Sequence, residues 1–195
     1  MNKYLWIDTE TTGLSHKTHG IISLAGFYET HTGKISDGFN FHCQPHPKDK
    51  IDQRALDING ITMSEISEFP ESSDVIAAVE KIFSSLVDKY DKKDKMILAG
   101  YNTKFDMRFL AEWFYKHDNN YFYSYFHKEP LDVLAMVRKY FKVQQTKPPN
   151  NKLTTVADFF GIEFDAHDAL ADIIATYKVY NKIAPFFGIT PIGDI

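Results

Sequence analysis

The sequence predicts an α/β domain in which a five-stranded mixed sheet, an antiparallel meander followed by parallel strands, is flanked by helices. Three observations carry that expectation. Residues 3–43 hold three consecutive aromatic and β-branched runs joined by short links, as an antiparallel meander requires. Beyond Ser72, helical periodicity alternates with short apolar runs, the pattern of helices laid over a sheet. The length, 195 residues, suits a single domain spanning 1–195 that buries its own core.

Residues 3–8 form the first strand, and 9–13 close it with turn residues. Residues 21–29 and 35–43 follow as strands, joined through 30–34, where Gly33 supplies the positive φ of a hairpin. Pro45 and Pro47 end this part of the sheet. Over 72–90, Val75, Ile76, Val79, Ile82, Phe83, Leu86, Val87 and Tyr90 recur at spacings of three and four, which predicts an amphipathic helix about five turns long. Residues 96–101 are a short apolar strand, and 103–117 a helix with Phe105, Phe109, Leu110, Trp113 and Phe114 on one side. The aromatic segment 121–126 reads as the fifth strand, with Pro130 blocking its extension, and 131–141 as a helix. Residues 147–151 are a loop. Two last helices cover 153–160, stopped by Gly161, and about 166–183, with Asp165 as its N-cap.

Composition narrows the class of protein. A hydrophobic share of 44% with 25% charged residues excludes a disordered or fibrous chain. The lone Cys43 excludes a disulfide framework and suits a reducing compartment. No apolar run approaches the roughly 18 residues that span a bilayer, and the N-terminus lacks the pattern of a signal peptide. The expectation is a soluble cytoplasmic protein without a membrane partner. Its formal charge of −4 gives no global attraction for nucleic acid, so a polyanion must be held locally. The acid-free stretch 138–152, with Arg138, Lys139, Lys142, Lys147 and Lys152, is one such place, or else a solvated helix end and loop.

The chemistry lies in scattered carboxylates. Asp8 and Glu10 are two apart at a strand end, so both point to one face, about 6–7 Å apart along the chain. With no Lys or Arg in residues 11–14, either a divalent cation neutralises them or they are simply exposed to water at a strand end and need no partner. Asp106 falls in the first turn of a helix directly after a strand, where ligands bind in α/β sheets and where an acid also complements the helix dipole. Asn102 is placed as a cap of that helix. In 166–174, helical spacing pairs Asp168 with Asp172 on one face, whereas His167 and Asp172 diverge by roughly 140°. His167 can serve the same site only from a frayed helix start.

Taken together, residues 8–13 (Asp-Thr-Glu-Thr-Thr-Gly), 102–106 (Asn-Thr-Lys-Phe-Asp) and 167–172 (His-Asp-Ala-Leu-Ala-Asp) resemble, in order, the three motifs of the DEDDh 3′–5′ exonucleases. That family includes the proofreading epsilon subunit of bacterial replicases, ribonuclease T and oligoribonuclease. The resemblance spans about residues 3–181 and implies a ribonuclease H-like fold. It further implies hydrolysis of the 3′-terminal phosphodiester of single-stranded or frayed DNA or RNA, releasing nucleoside 5′-monophosphates. On the same ground Asp8, Glu10, Asp106 and Asp172 would hold two Mg²⁺ or Mn²⁺ ions, with His167 as general base. Hard carboxylate oxygens suit hard cations, and an imidazole accepts a proton near neutral pH. Thr11, Gly13, Leu14, Asn59 and Asn102 would contact the terminal nucleotide. Gly13 admits close backbone approach, and Leu14 is similar to the family's wedge beside the terminal base, unless it is a core residue. Asn59 departs from the family, many of whose members have a histidine there, and so does Tyr101, at a position where histidine often precedes the motif asparagine. Asp132 is similar to an Asp-Thr element but is followed by Val133, and it is expected to support the site structurally.

Other constellations are weaker. His42, Cys43 and His46 lack a fourth zinc ligand, and neither a nucleophile elbow nor a P-loop is present. The aromatic residues of 113–126 belong to a core or to a base-stacking surface. The apolar tail 185–195 packs on its own domain or on a second subunit. A polymerase or a homodimer mate are therefore the protein partners that stay open. A catalytically dead binding module of the same fold and a ribonuclease H-like endonuclease are the alternatives to an exonuclease.

Overall fold

The computed structural model describes residues 3–29, 35–166 and 168–190, so the expected hairpin loop 30–34, His167 and the end of the apolar tail lie outside the described residues. Five strands, β1 (Lys3–Thr11), β2 (Ile21–Glu29), β3 (Phe39–His42), β4 (Met96–Gly100) and β5 (Leu131–Asp132), form one sheet in the order β3-β2-β1-β4-β5. β1–β2 and β2–β3 pair antiparallel, whereas β1–β4 and β4–β5 pair parallel. The expected mixed topology is thus present, with β1 at its centre.

Helices cover both faces. On one lie α3 (Ser72–Leu86), α4 (Thr103–Lys116) and α5 (Phe122–Tyr125), packed on Leu5, Ile7, Leu24 and Leu98. On the other lie α6 (Val133–Gln144), α7 (Leu153–Phe159) and α8 (Ala169–Ile183), packed on Trp6, Phe27 and Ala99. Successive side chains of a strand alternate between faces, so Leu5 and Ile7 go to the α4 side and Trp6 to the α8 side. Trp6 meets Tyr177 edge-on at 4.9 Å, which fixes α8 against the strand. Two short helices, α1 (Gln53–Asn59) and α2 (Met63–Glu68), bury Leu56 and Ile66 against Ile22, and a 3-10 turn, Ala184–Phe187, follows α8.

Several boundaries differ from the expectation. Residues 9–11 continue β1 instead of turning, because β2 pairs with it as far as Thr11 across an irregularity after Glu10. β3 is only four residues, with Ile35 contributing a lone bridge to Glu29. Residues 121–126 are not the fifth strand: Phe122, Tyr125 and Phe126 recur at helical spacing and bury against Phe83 and Phe114. β5 is instead Leu131–Asp132, and α6 starts at Val133, two residues later than expected, N-capped by Asp132. α3 stops at Leu86, leaving Tyr90 84% exposed. α8 begins at Ala169 with Asp168, not Asp165, as its N-cap. Among the described residues, no helix is long and apolar enough to cross a membrane.

Candidate active site

The strand parity that sends Trp6 toward α8 sends Asp8 and Glu10 the same way. There they meet Asp172, in the first turn of α8, and one ligand oxygen from each of the three carboxylates lies within 4.8 Å of the others. Asp106, in the first turn of α4, approaches from the opposite side. It is 3% exposed, and its carboxylate accepts a hydrogen bond at 2.8 Å from the Thr9 hydroxyl, which points to the α4 side. The central strand is therefore gripped between two helix N-termini, each carrying one acid, where the positive end of the dipole favours negative charge.

Electrostatics shows how close these groups are. Burial, reinforced by the charges of Asp106, Glu10 and Asp172, holds the Asp8 carboxyl well above the usual carboxylate range. Glu10 is pushed up to about 7, first by burial and then by Asp172, Asp106 and Asp168. Burial also pushes Asp106 up to about 7, against the opposing pull of the Thr9 hydrogen bond. Among the described residues no Lys or Arg forms an ion pair with Asp8, Glu10 or Asp106. Asp8, Glu10 and Asp106, which repel one another with no ion-pairing Lys or Arg among the described residues, fit a divalent cation, whose charge would reverse these shifts. The cluster is thus compatible with divalent-metal binding.

A hydrogen-bonded frame holds the segment after β1. Thr12 exchanges backbone and side-chain hydrogen bonds with Gly20 and donates its hydroxyl to the Lys50 carbonyl at 2.6 Å. Thr11 is buried, its hydroxyl donating to the Gly13 carbonyl at 2.9 Å. A Cβ at Gly13 would fall 2.3 Å from the His19 ring, so only glycine lets that ring close over the turn. Leu14 is 88% exposed, which removes the core reading and leaves an apolar side chain projecting into solvent. Asn59 donates its side-chain amide to the Thr11 carbonyl at 3.1 Å, tying α1 to the strand end. Beneath this frame Lys116 forms an ion pair with Asp49, their side chains 11% and 1% exposed, and also donates to the His16 and His19 carbonyls.

Asn102 occupies the N-cap position of α4 in the left-handed region at φ 64°, but its side chain makes no capping hydrogen bond; its backbone N–H donates to Asp132 Oδ1 at 3.1 Å. The same oxygen caps α6, so Asp132 joins the two helices that follow β4 and β5. The Thr9–Asp106 hydrogen bond and the Lys116–Asp49 ion pair carry no local signal in the sequence, because their partners are far apart in the chain. His167 lies outside the described residues. The zinc combination does not form: Cys43 is buried with its thiol on the Ile21 carbonyl, while His42 packs on Phe69.

Comparison with known proteins agrees with this geometry. The model of the RNase_T exonuclease family matches residues 5–180. DNA polymerase III PolC-type from Oceanobacillus iheyensis is 30% identical over 181 residues, covering 92% of this chain and 11% of that protein. The PolC-type polymerase of Thermotoga petrophila is 26% identical, covering 98% of this chain and 13% of its own length. The chain therefore spans only about a tenth of these relatives. Among solved structures, E. coli exonuclease I in complex with a dT13 oligonucleotide superimposes with a TM-score of 0.76 at 21% identity, covering 96% of this chain and 43% of that one. The sheet order and the structural likeness give a ribonuclease H-like fold, and the family match gives the class, a nuclease-type hydrolase. The chain belongs to the exonuclease family of DEDDh type.

Proposed function

We propose that the chain is a metal-dependent 3′–5′ exonuclease that removes nucleoside 5′-monophosphates from single-stranded or frayed ends, acting as one domain over residues 1–195. The observation that carries this reading is the meeting of Asp8, Glu10 and Asp172 oxygens within 4.8 Å, beside Asp106. These four carboxylates would hold two Mg²⁺ or Mn²⁺ ions. Such ions, when bound, lower the pKa of a water and stabilise the charge on a leaving 3′ oxygen. His167 takes the proton of the attacking water, a role that rests on the family resemblance and suits an imidazole near neutral pH.

The remaining residues seat the strand end. Leu14, exposed beside the acid-bearing strand, wedges against the terminal base and keeps it out of its stack. Gly13 and Thr11 present backbone to the terminal nucleotide, held in place by the Asn59 amide on the Thr11 carbonyl. In this role Asn59 acts as a positioning residue. Asn102, at the N-cap position of α4, orients the turn that carries Asp106. The names of the PolC-type relatives favour DNA over RNA as the substrate and a polymerase over a second copy as the partner.

Digestion of single-stranded DNA, single-stranded RNA and duplex DNA with Mg²⁺, followed by product length, tests the reading. Mononucleotides bearing 5′-phosphates, shortening a 5′-labelled strand stepwise, are expected. Internal oligomers would make the chain an endonuclease, and intact strands that stay bound would make it a binding module.

A further inference from the structure

We propose that a basic groove between α6 and the loop after it is a track for the sugar–phosphate backbone of the strand whose 3′ end occupies the carboxylate cleft, an assignment of the bound end that rests on the exonuclease reading. Arg138, Lys142, Lys147 and Asn150 line this groove, of about 560 Å³, over a floor that includes Phe141 and the buried Pro148. Arg138 and Lys142 are four apart and share one face of α6. The left-handed C-cap at Gln145, φ 54°, ends the helix before the segment that brings Lys147 to the same groove. Lys139 is turned elsewhere, its ammonium 5.5 Å from the Phe187 ring. Among the described residues, Arg138, Lys142 and Lys147 form no ion pair, and residues 138–152 contain no acid.

Position makes this groove more than a solvated helix end. Tyr101 donates its hydroxyl to the Asn151 carbonyl at 2.7 Å, fastening the basic loop to the residue before Asn102. Asp132, the N-cap of α6, accepts from the Asn102 N–H. Groove and acid-bearing helix α4 thus hang on adjacent residues, Tyr101 and Asn102. A cleft built from four carboxylates repels every phosphate of a strand beyond the one held by cations. A cationic groove tied to the turn between β4 and α4 draws those phosphates away and gives a chain of net charge −4 a local field for a polyanion. The ligand chemistry is an extended single strand of either sugar type, held by its phosphates and not by its bases.

Fluorescence anisotropy with labelled dT3 and dT12 in EDTA, over a range of salt, tests the track without requiring hydrolysis. The triple variant Arg138→Glu, Lys142→Glu, Lys147→Glu is expected to weaken dT12 binding about 10–100-fold at 0.1 M salt. The slope of log Kd against log salt should become shallower by about 2, close to 0.7 for each of three lost phosphate contacts. Binding of dT3, which is too short to leave the cleft, should change less than threefold. A charge-matched control, Lys81→Glu, Lys92→Glu, Lys93→Glu, changes exposed residues on α3 and the loop before β4, and should leave dT12 binding within twofold. Should the glutamate triple not fold, the corresponding glutamine triple is expected to lose the same salt slope. Equal effects of groove and control variants, or equal weakening of dT3 and dT12, would overturn the track. If the wild type hydrolyses no strand with Mg²⁺ yet the groove effect stands, the exonuclease reading fails and the track survives.

Discussion

At the scale of single residues, the cleft is an arrangement of acids that are unstable as neighbours without cations. Losing one carboxylate should therefore remove activity without harming the fold. Asp8→Asn and Asp172→Asn are each expected to lower Mg²⁺-supported cleavage by at least 10³-fold while leaving melting in EDTA unchanged or raised. A gel assay of a 5′-labelled strand and a thermal melt check both parts. Glu10 and Asp106 are held near 7. Because the ionised forms are the ones that hold cations, activity should rise steeply from pH 5.5 to pH 8, and excess Mn²⁺ should shift that rise to lower pH. His167→Ala should slow the reaction by about 10²–10⁴ with Mn²⁺ affinity retained, as calorimetry can verify. A silent His167→Ala would require another general base.

At the scale of elements, each acid is delivered by a rule of regular structure: alternation along β1 for Asp8 and Glu10, and the first helical turn for Asp106 and Asp172. Strand alternation made the Asp8–Glu10 pair legible in the sequence, and the helix after β4 did the same for Asp106; Asp172 joined them only through the motif resemblance, because its helix was expected to start near 166 and starts at Ala169. The layering of helices over a mixed sheet was legible too. What escaped reading was set by tertiary contact. Phe122, Tyr125 and Phe126 carry strong strand propensity but bury their rings against Phe83 and Phe114 through helical spacing. α1 and α2 are too short for a periodic signal and are held by Ile22 and by a capping box at Thr62. The Thr9–Asp106 hydrogen bond joins residues 97 apart, which no local pattern reveals. Asp132 links two elements through one oxygen, so Asp132→Ala should destabilise by about 1–2 kcal/mol through its lost cap. It should also lower kcat through the released Asn102 turn. Denaturant melts and single-turnover rates measure the two effects separately.

For the whole molecule, the cleft trades stability against readiness for cations. Folded-state pKa values raised above those of the unfolded chain mean that the folded protein binds more protons between about pH 4 and pH 7. That contribution is complete below the unfolded values and is lost as pH rises through 7. In EDTA, Glu10→Gln should therefore raise the melting temperature at pH 8, by on the order of 2 kcal/mol in stability, and change it little at pH 4. Mg²⁺ or Mn²⁺ should stabilise the wild type at pH 8 increasingly with the logarithm of ion concentration and fail to stabilise the Asp8→Asn variant. Acid from the α4 side and acid from the α8 side become one site only because a single central strand separates them. The most direct test of this account is anomalous diffraction from a crystal soaked in Mn²⁺. Two peaks about 3.5–4 Å apart, bounded by Asp8, Glu10, Asp106 and Asp172, are predicted, whereas a cleft free of manganese at saturating ion would contradict it.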